Sequence, residues 1–398
     1  MSAYNAQAFL REAVDSILAQ TFDDFELIVV DDASSDETPR ILAEYSDPRI
    51  RILRNSTNLG VGGARNKGLS IARGKYIAIH DADDTSIPDR FALQVDYLNA
   101  HPDVGLVGST AFYVNTPSTL AAAFPEVRNF CYPDTAPESD EKNLREFDTN
   151  WLTLPNSQFP TALVTSPLSD LAITWTLLLH NAFCTTTTMF RRSLFDALGG
   201  YSELPEHRYC EDYAMYSRFA QHTRLANIEK PLVTWHSHTT STSAQNETEQ
   251  GHQQEAFKRE NFRWIMNWDT LAEDTWSAWK KFVYPNRSNS PLTLTEVREL
   301  ARVLPVITAN FYAAYAHSEG SEVKRHRRVT LLAWSRHAVG LSYKPGTVLG
   351  FSSRFSLIKM GFRLLSCILL PARATRRRED RALKGPLLNS ATKLNKTS

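Results

Sequence analysis

The chain has no CxxC pair: its four cysteines, Cys131, Cys184, Cys210 and Cys367, stand far apart. That spacing excludes a sequence-readable zinc site or disulfide framework and fits a reducing compartment. No run of 18 uninterrupted apolar residues occurs, so no membrane-spanning helix is legible. Arg11, Glu12 and Asp15 interrupt the apolar pattern of the first 20 residues, which argues against a signal peptide. A cytoplasmic protein is expected, with its Asn-x-Ser/Thr sequons at Asn55, Asn246, Asn286 and Asn395 as chance matches. Net charge is missing too, since 44 Lys+Arg balance 44 Asp+Glu. The balance hides an asymmetry, because residues 321–398 hold 17 of the basic residues and 3 of the acidic ones. An acidic body excludes wholesale nucleic-acid binding, while a basic tail suits an anionic membrane leaflet.

What is present is the composition of a globular protein, 42% hydrophobic and 11% aromatic. A length of 398 residues predicts a core domain with an appended part. Phe9, Leu10, Ala13, Val14, Ile17 and Leu18 share one helical face. Residues 25–30 form an apolar run of strand length that ends in Asp31-Asp32-Ala33-Ser34-Ser35-Asp36. Pro39 suits the first turn of a following helix, where a missing N–H costs nothing. Short strands at 50–54, 76–80 and 104–107 alternate with helices at 62–72 and 88–100. Strands interleaved with helices of 10–15 residues mean βαβ units and a mostly parallel sheet. The text opens at Met1-Ser-Ala-Tyr-Asn, where the first strand of such a sheet is expected to have already ended. That reading leaves the sheet without its opening strand.

Between about 115 and 170 the periodicity loosens into a Pro/Ser/Thr-rich insertion. A helix is expected over 171–180 and a strand over 185–190. The core is read as residues 1–245, followed by a helical extension over 246–340 in which Trp264, Trp268, Trp276 and Trp279 pack helices together. Residues 341–398 read as an amphipathic basic tail, partly disordered, suited to peripheral contact with the inner membrane face.

The strongest chemical signal is His80-Asp81-Ala82-Asp83-Asp84. Three carboxylates in four residues repel one another, and they leave the carboxyl end of an apolar strand, where open α/β sheets bind ligands. Mn²⁺ or Mg²⁺ relieves the repulsion and also contacts substrate phosphates. The plain alternative is a solvated loop before the helix at Pro88, since short motifs match by chance often. Asp31-Asp32 closes the preceding strand similarly. If Ser34, Ser35 and Asp36 cap the next helix, Asp32 is left free to accept from a base or ribose.

Tyr4-Asn5-Ala6, residues 20–26, Val30 to Asp36, Asn58-Leu59-Gly60, Ala64-Arg65-Asn66-Lys67-Gly68, residues 74–78 and Asp81-Ala82-Asp83-Asp84 follow in this order and spacing. Together they resemble the N-terminal half of family 2 glycosyltransferases, over residues 1 to about 110 and again at about 176–243. The resemblance implies a GT-A fold, that is, a Rossmann-like, mostly parallel sheet flanked by helices, with a mainly helical C-terminal extension here. It implies an inverting transfer from a nucleoside-diphosphate sugar, UDP-sugars first, with a divalent metal as cofactor and a glycan or lipid-linked acceptor. On that pattern Tyr4 and Asp32 contact the nucleobase, Arg65 lies near the donor, and Asp81 and Asp83 hold the ribose and the metal-diphosphate. Relatives carry a Val-Ser-Val-Ile type of strand before Tyr-Asn, which is absent here.

An acceptor-side constellation follows. Residues 189–195, Gly199-Gly200-Tyr201 and then Glu211-Asp212-Tyr213 resemble the family's run ending in a Glu-Asp pair. Inverting displacement needs one base for the acceptor hydroxyl, and Asp212 is the candidate, with Glu211 orienting it or the acceptor. The alternative is an acidic first turn on the helix over 213–221. His238 matches a family histidine that approaches metal or diphosphate, and is expected to join Asp83 as a metal ligand. His236 stands where relatives carry arginine, and Thr185 to Thr188 stand where relatives often carry a histidine, which weakens the acceptor-site reading there. A non-catalytic sugar-nucleotide or glycan-binding protein is the second hypothesis. A nucleotidyltransferase is the third, and lacks the Gly-rich basic loop it needs.

Overall fold

The computed structural model describes residues 1–115, 161–164, 166–178, 180–266, 273–283 and 292–314, with residues 323, 330, 357 and 359–361. The described residues divide into two compact units, the first ending at Asn261 and the second beginning at Phe262.

In the first unit the strands are β1 (Ser2–Ala3), β2 (Leu27–Asp31), β3 (Ile50–Arg54), β4 (Tyr76–Ala78), β5 (Thr85–Ser86), β6 (Val104–Asn115), β7 (Thr161–Val164), β8 (Met189–Arg191) and β9 (Arg224–Ser237). Its helices are α1 (Leu10–Leu18), α2 (Thr38–Ala43), α3 (Gly60–Ile71), α4 (Arg90–Ala100), α5 (Asp170–Leu177), α6 (Arg192–Leu198), α7 (Glu211–Ala220), α8 (Thr242–Gln245) and the start of α9 (Glu247–Met266). Helix α1 forms where the spacing predicts it, with Leu10, Ala13, Val14 and Ile17 all buried. Leu10, Val14 and Ile17 each contribute roughly 1.5–3 kcal/mol on burial, and an aspartate at Ile17 would break the face.

Strands β1, β2 and β3 pair in parallel, with Leu27 beside Ile50 and Asp31 beside Arg54. Ser2 also bridges in parallel to Asp81, just past β4. The expectation that the first strand has ended before the text begins is therefore corrected. Ser2 and Ala3 hold a strand position between β2 and the acidic loop, because Val30 N–H and Asp32 N–H donate to the carbonyls of Met1 and Ala3. The second sheet runs β4-β8-β6-β9-β5, with β7 on β6. There only β6 and β9 run parallel; β4–β8, β6–β8, β6–β7 and β5–β9 are antiparallel.

This is the expected α/β architecture, a parallel sheet flanked by helices, with a helical C-terminal part. The antiparallel strands are the addition that periodicity hid. Residues 185–187 form a 3₁₀ turn, not the expected strand, and pairing begins at Met189. Most of the Pro/Ser/Thr-rich insertion lies outside the described residues; β7 at its far end pairs with β6. The pairing that matters most for the site is Thr85 with Thr234, which sets the loop 81–84 beside residues 235–238.

The second unit contains α10 (Glu273–Val283) and α11 (Leu294–Ala314). Phe262 meets Trp276 and Trp279 edge-on at 5.8 and 4.6 Å. The Lys281–Glu296 ion pair at 2.7 Å and the Thr275–Glu299 hydrogen bond tie the two helices. Tail residues 341–398 lie outside the described residues, apart from four isolated positions. No helix among the described residues is long and apolar enough to cross a membrane.

Candidate functional site

Parallel strands end together, and their carboxyl ends gather the polar residues that follow them. After β1 the chain turns at Asn5, whose φ of 49° is left-handed. Asn5 N–H donates to Ser34 Oγ at 3.0 Å, and Ser35 N–H returns to Asn5 Oδ1 at 2.9 Å. Ala6 N–H and Gln7 N–H donate to Thr38 Oγ1 and Asp36 Oδ2. This lacing holds the turn rigid and leaves the Tyr4 ring 54% exposed.

Asp32 is not free, contrary to expectation. Its carboxylate accepts the Leu59 N–H at 2.9 and 3.1 Å and the Asn55 amide at 2.6 Å, and it is buried. The orphan donors at the entry to α3 explain this: a helix start needs acceptors, and Asp32 reaches it from the neighbouring strand. Asp31 makes the local turn instead, accepting Ser34 N–H and lying 3.2 Å from Arg54 Nε. Leu59, at the same helix entry, is 54% exposed.

Two turns into α3, Arg65 buries its side chain. Its guanidinium pairs with Asp81 and lies 5.1 Å over the Tyr201 ring. Burial works against its charge, but Asp81, and further off Tyr201, Tyr216 and Asp212, hold its pKa above the usual arginine value. Burial pushes the Tyr201 hydroxyl up as well. Arg65 thus contacts Asp81 and feels the charge of Asp212.

The acidic loop splits into distinct roles. Asp81 faces Arg65. Asp83 Oδ2 lies 3.0 Å from His238 Nε2. Asp84 turns inward, accepting the His236 N–H at 2.8 Å, and burial followed by the charges of Asp83 and Asp81 raises its carboxyl well above the ordinary range. Beneath them Arg90 is wholly buried, with no carboxylate in contact among the described residues. It donates to Ile79 O, Ser86 Oγ, Gln94 Oε1 and His80 Nδ1. Burial lowers Arg90 only to about 10, so it keeps its charge at neutral pH. Because a guanidinium only donates, His80 Nδ1 accepts from it. Burial and that neighbouring cation hold His80 well below the usual histidine value.

Among the described residues no group of three or more His, Cys, Asp or Glu is arranged to hold a metal ion. Asp83 and His238 nevertheless fit a cation that takes few protein ligands and completes its shell with water and phosphate oxygens. His238 is oriented for this, since its Nδ1 meets Thr240 Oγ1 at 2.8 Å and its ring stacks on Phe9 at 4.5 Å.

Helix α7 begins at Glu211, so the helix expected over 213–221 starts two residues early and takes Glu211 and Asp212 into its first turn. Asp212 Oδ2 accepts from the Asn181 amide at 3.0 Å and from the Thr185 hydroxyl; Oδ1 takes the Tyr213 N–H at 2.7 Å. Burial, and after it the charge of Asp212, raises the Glu211 pKa. Gly62 gives Glu211 room, because a Cβ there would sit 3.1 Å from the Glu211 Cγ and 3.2 Å from the Ser202 carbonyl. Of the residues singled out by sequence, Arg65, Asp81, Glu211 and Asp212 therefore share one electrostatic neighbourhood. Asp83 and His238 form a pair of their own, Tyr4 stands exposed, and Asp32 is engaged at the entry to α3. Asn181 carried no signal in the sequence, and Thr185, Tyr201, Phe9 and Leu59, though named there, were given no partner in this neighbourhood.

Residues 1–153 match the family model described as glycosyl transferase family 2. An uncharacterized glycosyltransferase of Methanocaldococcus jannaschii is 38% identical over 135 residues, 33% of this chain and 47% of that one. An uncharacterized glycosyltransferase of Haemophilus influenzae is 29% identical over 270 residues, 67% of this chain and 72% of that one. A UDP-Glc:alpha-D-GlcNAc-diphosphoundecaprenol beta-1,3-glucosyltransferase of Escherichia coli is 40% identical over 98 residues, 25% of this chain and 39% of that one. The match thus spans about half the length of the M. jannaschii relative and less of the E. coli one.

Proposed function

We propose, for a chain that belongs to glycosyltransferase family 2, that it moves a sugar from a nucleoside-diphosphate donor to a hydroxyl of a glycan or lipid-linked acceptor, with inversion. The observation that carries the reading is the position of Arg65, paired with Asp81 and within electrostatic reach of Asp212. The Arg65 guanidinium thus lies against one of the two carboxylates that this reading assigns to donor and acceptor, and within electrostatic reach of the other.

In this reading the exposed Tyr4 ring and Leu59 side chain help to hold the base, uracil first. Asp32 fixes the Leu59 entry to α3. Asp81 holds the ribose, and Arg65 lies against the donor. Asp83 and His238 would hold Mn²⁺ or Mg²⁺, whose chemistry here is to offset the charge gained by the departing diphosphate. Asp212 takes the proton of the acceptor hydroxyl as it attacks the anomeric carbon from the face opposite the leaving group, and Glu211 orients that hydroxyl. No covalent enzyme intermediate forms. A lipid-linked acceptor is supported by the diphosphoundecaprenol acceptor in the name of the E. coli relative, and the basic residues of 341–398 would bring the protein to the membrane face that carries it.

The test is turnover of UDP-glucose, UDP-N-acetylglucosamine, UDP-galactose and GDP-mannose with Mn²⁺, with and without a GlcNAc-diphosphate lipid. The expected result is metal-dependent release of the nucleoside diphosphate, lost in Asp212→Asn. An Asp83→Ala variant with full turnover would sink the metal role, and an Asp212→Asn variant with full turnover would sink the base.

A further inference from the structure

We propose that Thr185 and Asn181 are positioning residues for Asp212, holding one oxygen of its carboxylate so that the other faces the acceptor hydroxyl. This rests on the reading of Asp212 as the base. Two side chains from one short segment converge on the same oxygen, Oδ2: the Asn181 amide at 3.0 Å and the Thr185 hydroxyl. Among the described residues Oδ1 accepts one hydrogen bond, from the Tyr213 N–H at 2.7 Å. A carboxylate oxygen has two lone pairs. Oδ2 is filled by its two donors, and the lone pair left on Oδ1 is the one that receives the proton.

Both donors are themselves held. The Phe183 N–H donates to Asn181 Oδ1 at 3.1 Å, which settles which end of the amide faces Asp212. Thr185 opens a 3₁₀ turn whose carbonyl accepts from both the N–H and the hydroxyl of Thr188, and Thr188 Oγ1 lies 3.2 Å from the Tyr216 hydroxyl on α7. Successive threonines then take separate partners. Thr185 takes Asp212, Thr186 Oγ1 accepts the Asp81 N–H at 3.3 Å, and Thr187 Oγ1 accepts the Ser109 N–H at 3.2 Å on β6. The turn over Thr185–Thr187 therefore links the candidate base to the acidic loop after β4.

The step it serves balances as follows. The acceptor O–H proton passes to Asp212 Oδ1 while the acceptor oxygen bonds to the anomeric carbon. The bond from that carbon to the diphosphate oxygen breaks, and its electron pair leaves with the nucleoside diphosphate.

The experiment compares Thr185→Val, Thr185→Ser, Asn181→Ala and Asp212→Asn with the parent protein, using the four nucleotide sugars above and water or the GlcNAc-diphosphate lipid as acceptor. Thr185→Val keeps the shape and loses the hydroxyl. Its kcat is expected to fall about 10–100-fold, the cost of a displaced reacting group, with donor KM within about twofold. Thr185→Ser is expected to restore most of that loss, and Asn181→Ala to show the same split between kcat and KM. UDP binding by calorimetry and the melting temperature report the fold, so a variant that misfolds is identified and the other donor carries the test. Thr185→Val and Asn181→Ala at parental kcat, beside an inactive Asp212→Asn, would overturn the positioning role alone. A loss in both that raises donor KM to the same extent would also overturn it. Full turnover by Asp212→Asn, or no turnover of any donor by the parent, would overturn the underlying base assignment.

Discussion

His238 Nε2 lies 3.0 Å from Asp83 Oδ2, although 155 residues separate them. The Phe9 ring stacked on the imidazole and the Thr240 hydroxyl on its other nitrogen make that orientation a property of the fold.

From this pair we expect Asp83→Asn and His238→Ala each to weaken Mn²⁺ affinity by about 10–100-fold, the usual range for loss of a ligand or its support. Calorimetric titration of Mn²⁺ with UDP present measures it. Phe9→Ala is expected to give a smaller loss of the same kind, because the ring only steers His238.

Asp32→Ala is expected to destabilise the protein by about 1–3 kcal/mol, since it strips a buried acceptor from the entry to α3 and leaves the Asn55 amide unpaired. Urea unfolding followed by circular dichroism checks this. A loss of nucleotide affinity with unchanged stability would contradict the supporting role that the geometry assigns to Asp32.

Stability should depend on pH through His80. Its folded pKa is pushed down by burial and by Arg90, so below about pH 6.5 the unfolded chain binds a proton that the folded chain refuses. The unfolded state then holds more protons, and stability rises with pH through that window and is fully present above it. The slope contributed approaches about 1.4 kcal/mol per pH unit. Asp84, raised by burial, acts in the opposite sense. The comparison to make is therefore the parent against His80→Gln, whose unfolding free energy should fall less steeply between pH 6.5 and 5.

Gly62→Ala is a sharper probe of the acceptor side. In most helices that change gains about 1 kcal/mol. Here the new methyl meets Glu211 Cγ at 3.1 Å and the Ser202 carbonyl at 3.2 Å, so Glu211 must shift. We expect little change in melting temperature and a fall in kcat of about tenfold, the scale of a small displacement at a reacting group.

How much of this was legible in the sequence differs from element to element. The face of α1 and the buried run of β2 follow from spacing alone, because burial there obeys the local period. The acidic loop after β4 was legible because its residues are adjacent in the chain. The engagement of Asp32 was hidden, since its partners Asn55 and Leu59 lie 23 and 27 residues further on and nothing in either marks them as donors. The first strand was missed because two residues carry no period, and its pairing depends on β2 and Asp81. Thr185 to Thr188 read as a strand because β-branched residues favour one. Their hydroxyls found backbone and carboxylate partners that only the folded sheet brings near.

The antiparallel seam between β5 and β9 has a consequence for synthesis. Asp81, Asp83 and Asp84 leave the ribosome early, while the histidine that faces Asp83 comes 155 residues later. At elongation rates of 5–20 residues per second, the growing chain carries that acidic loop without its imidazole for roughly 8–30 s. Translation therefore delivers His238 well after the acidic loop whose Asp83 it faces.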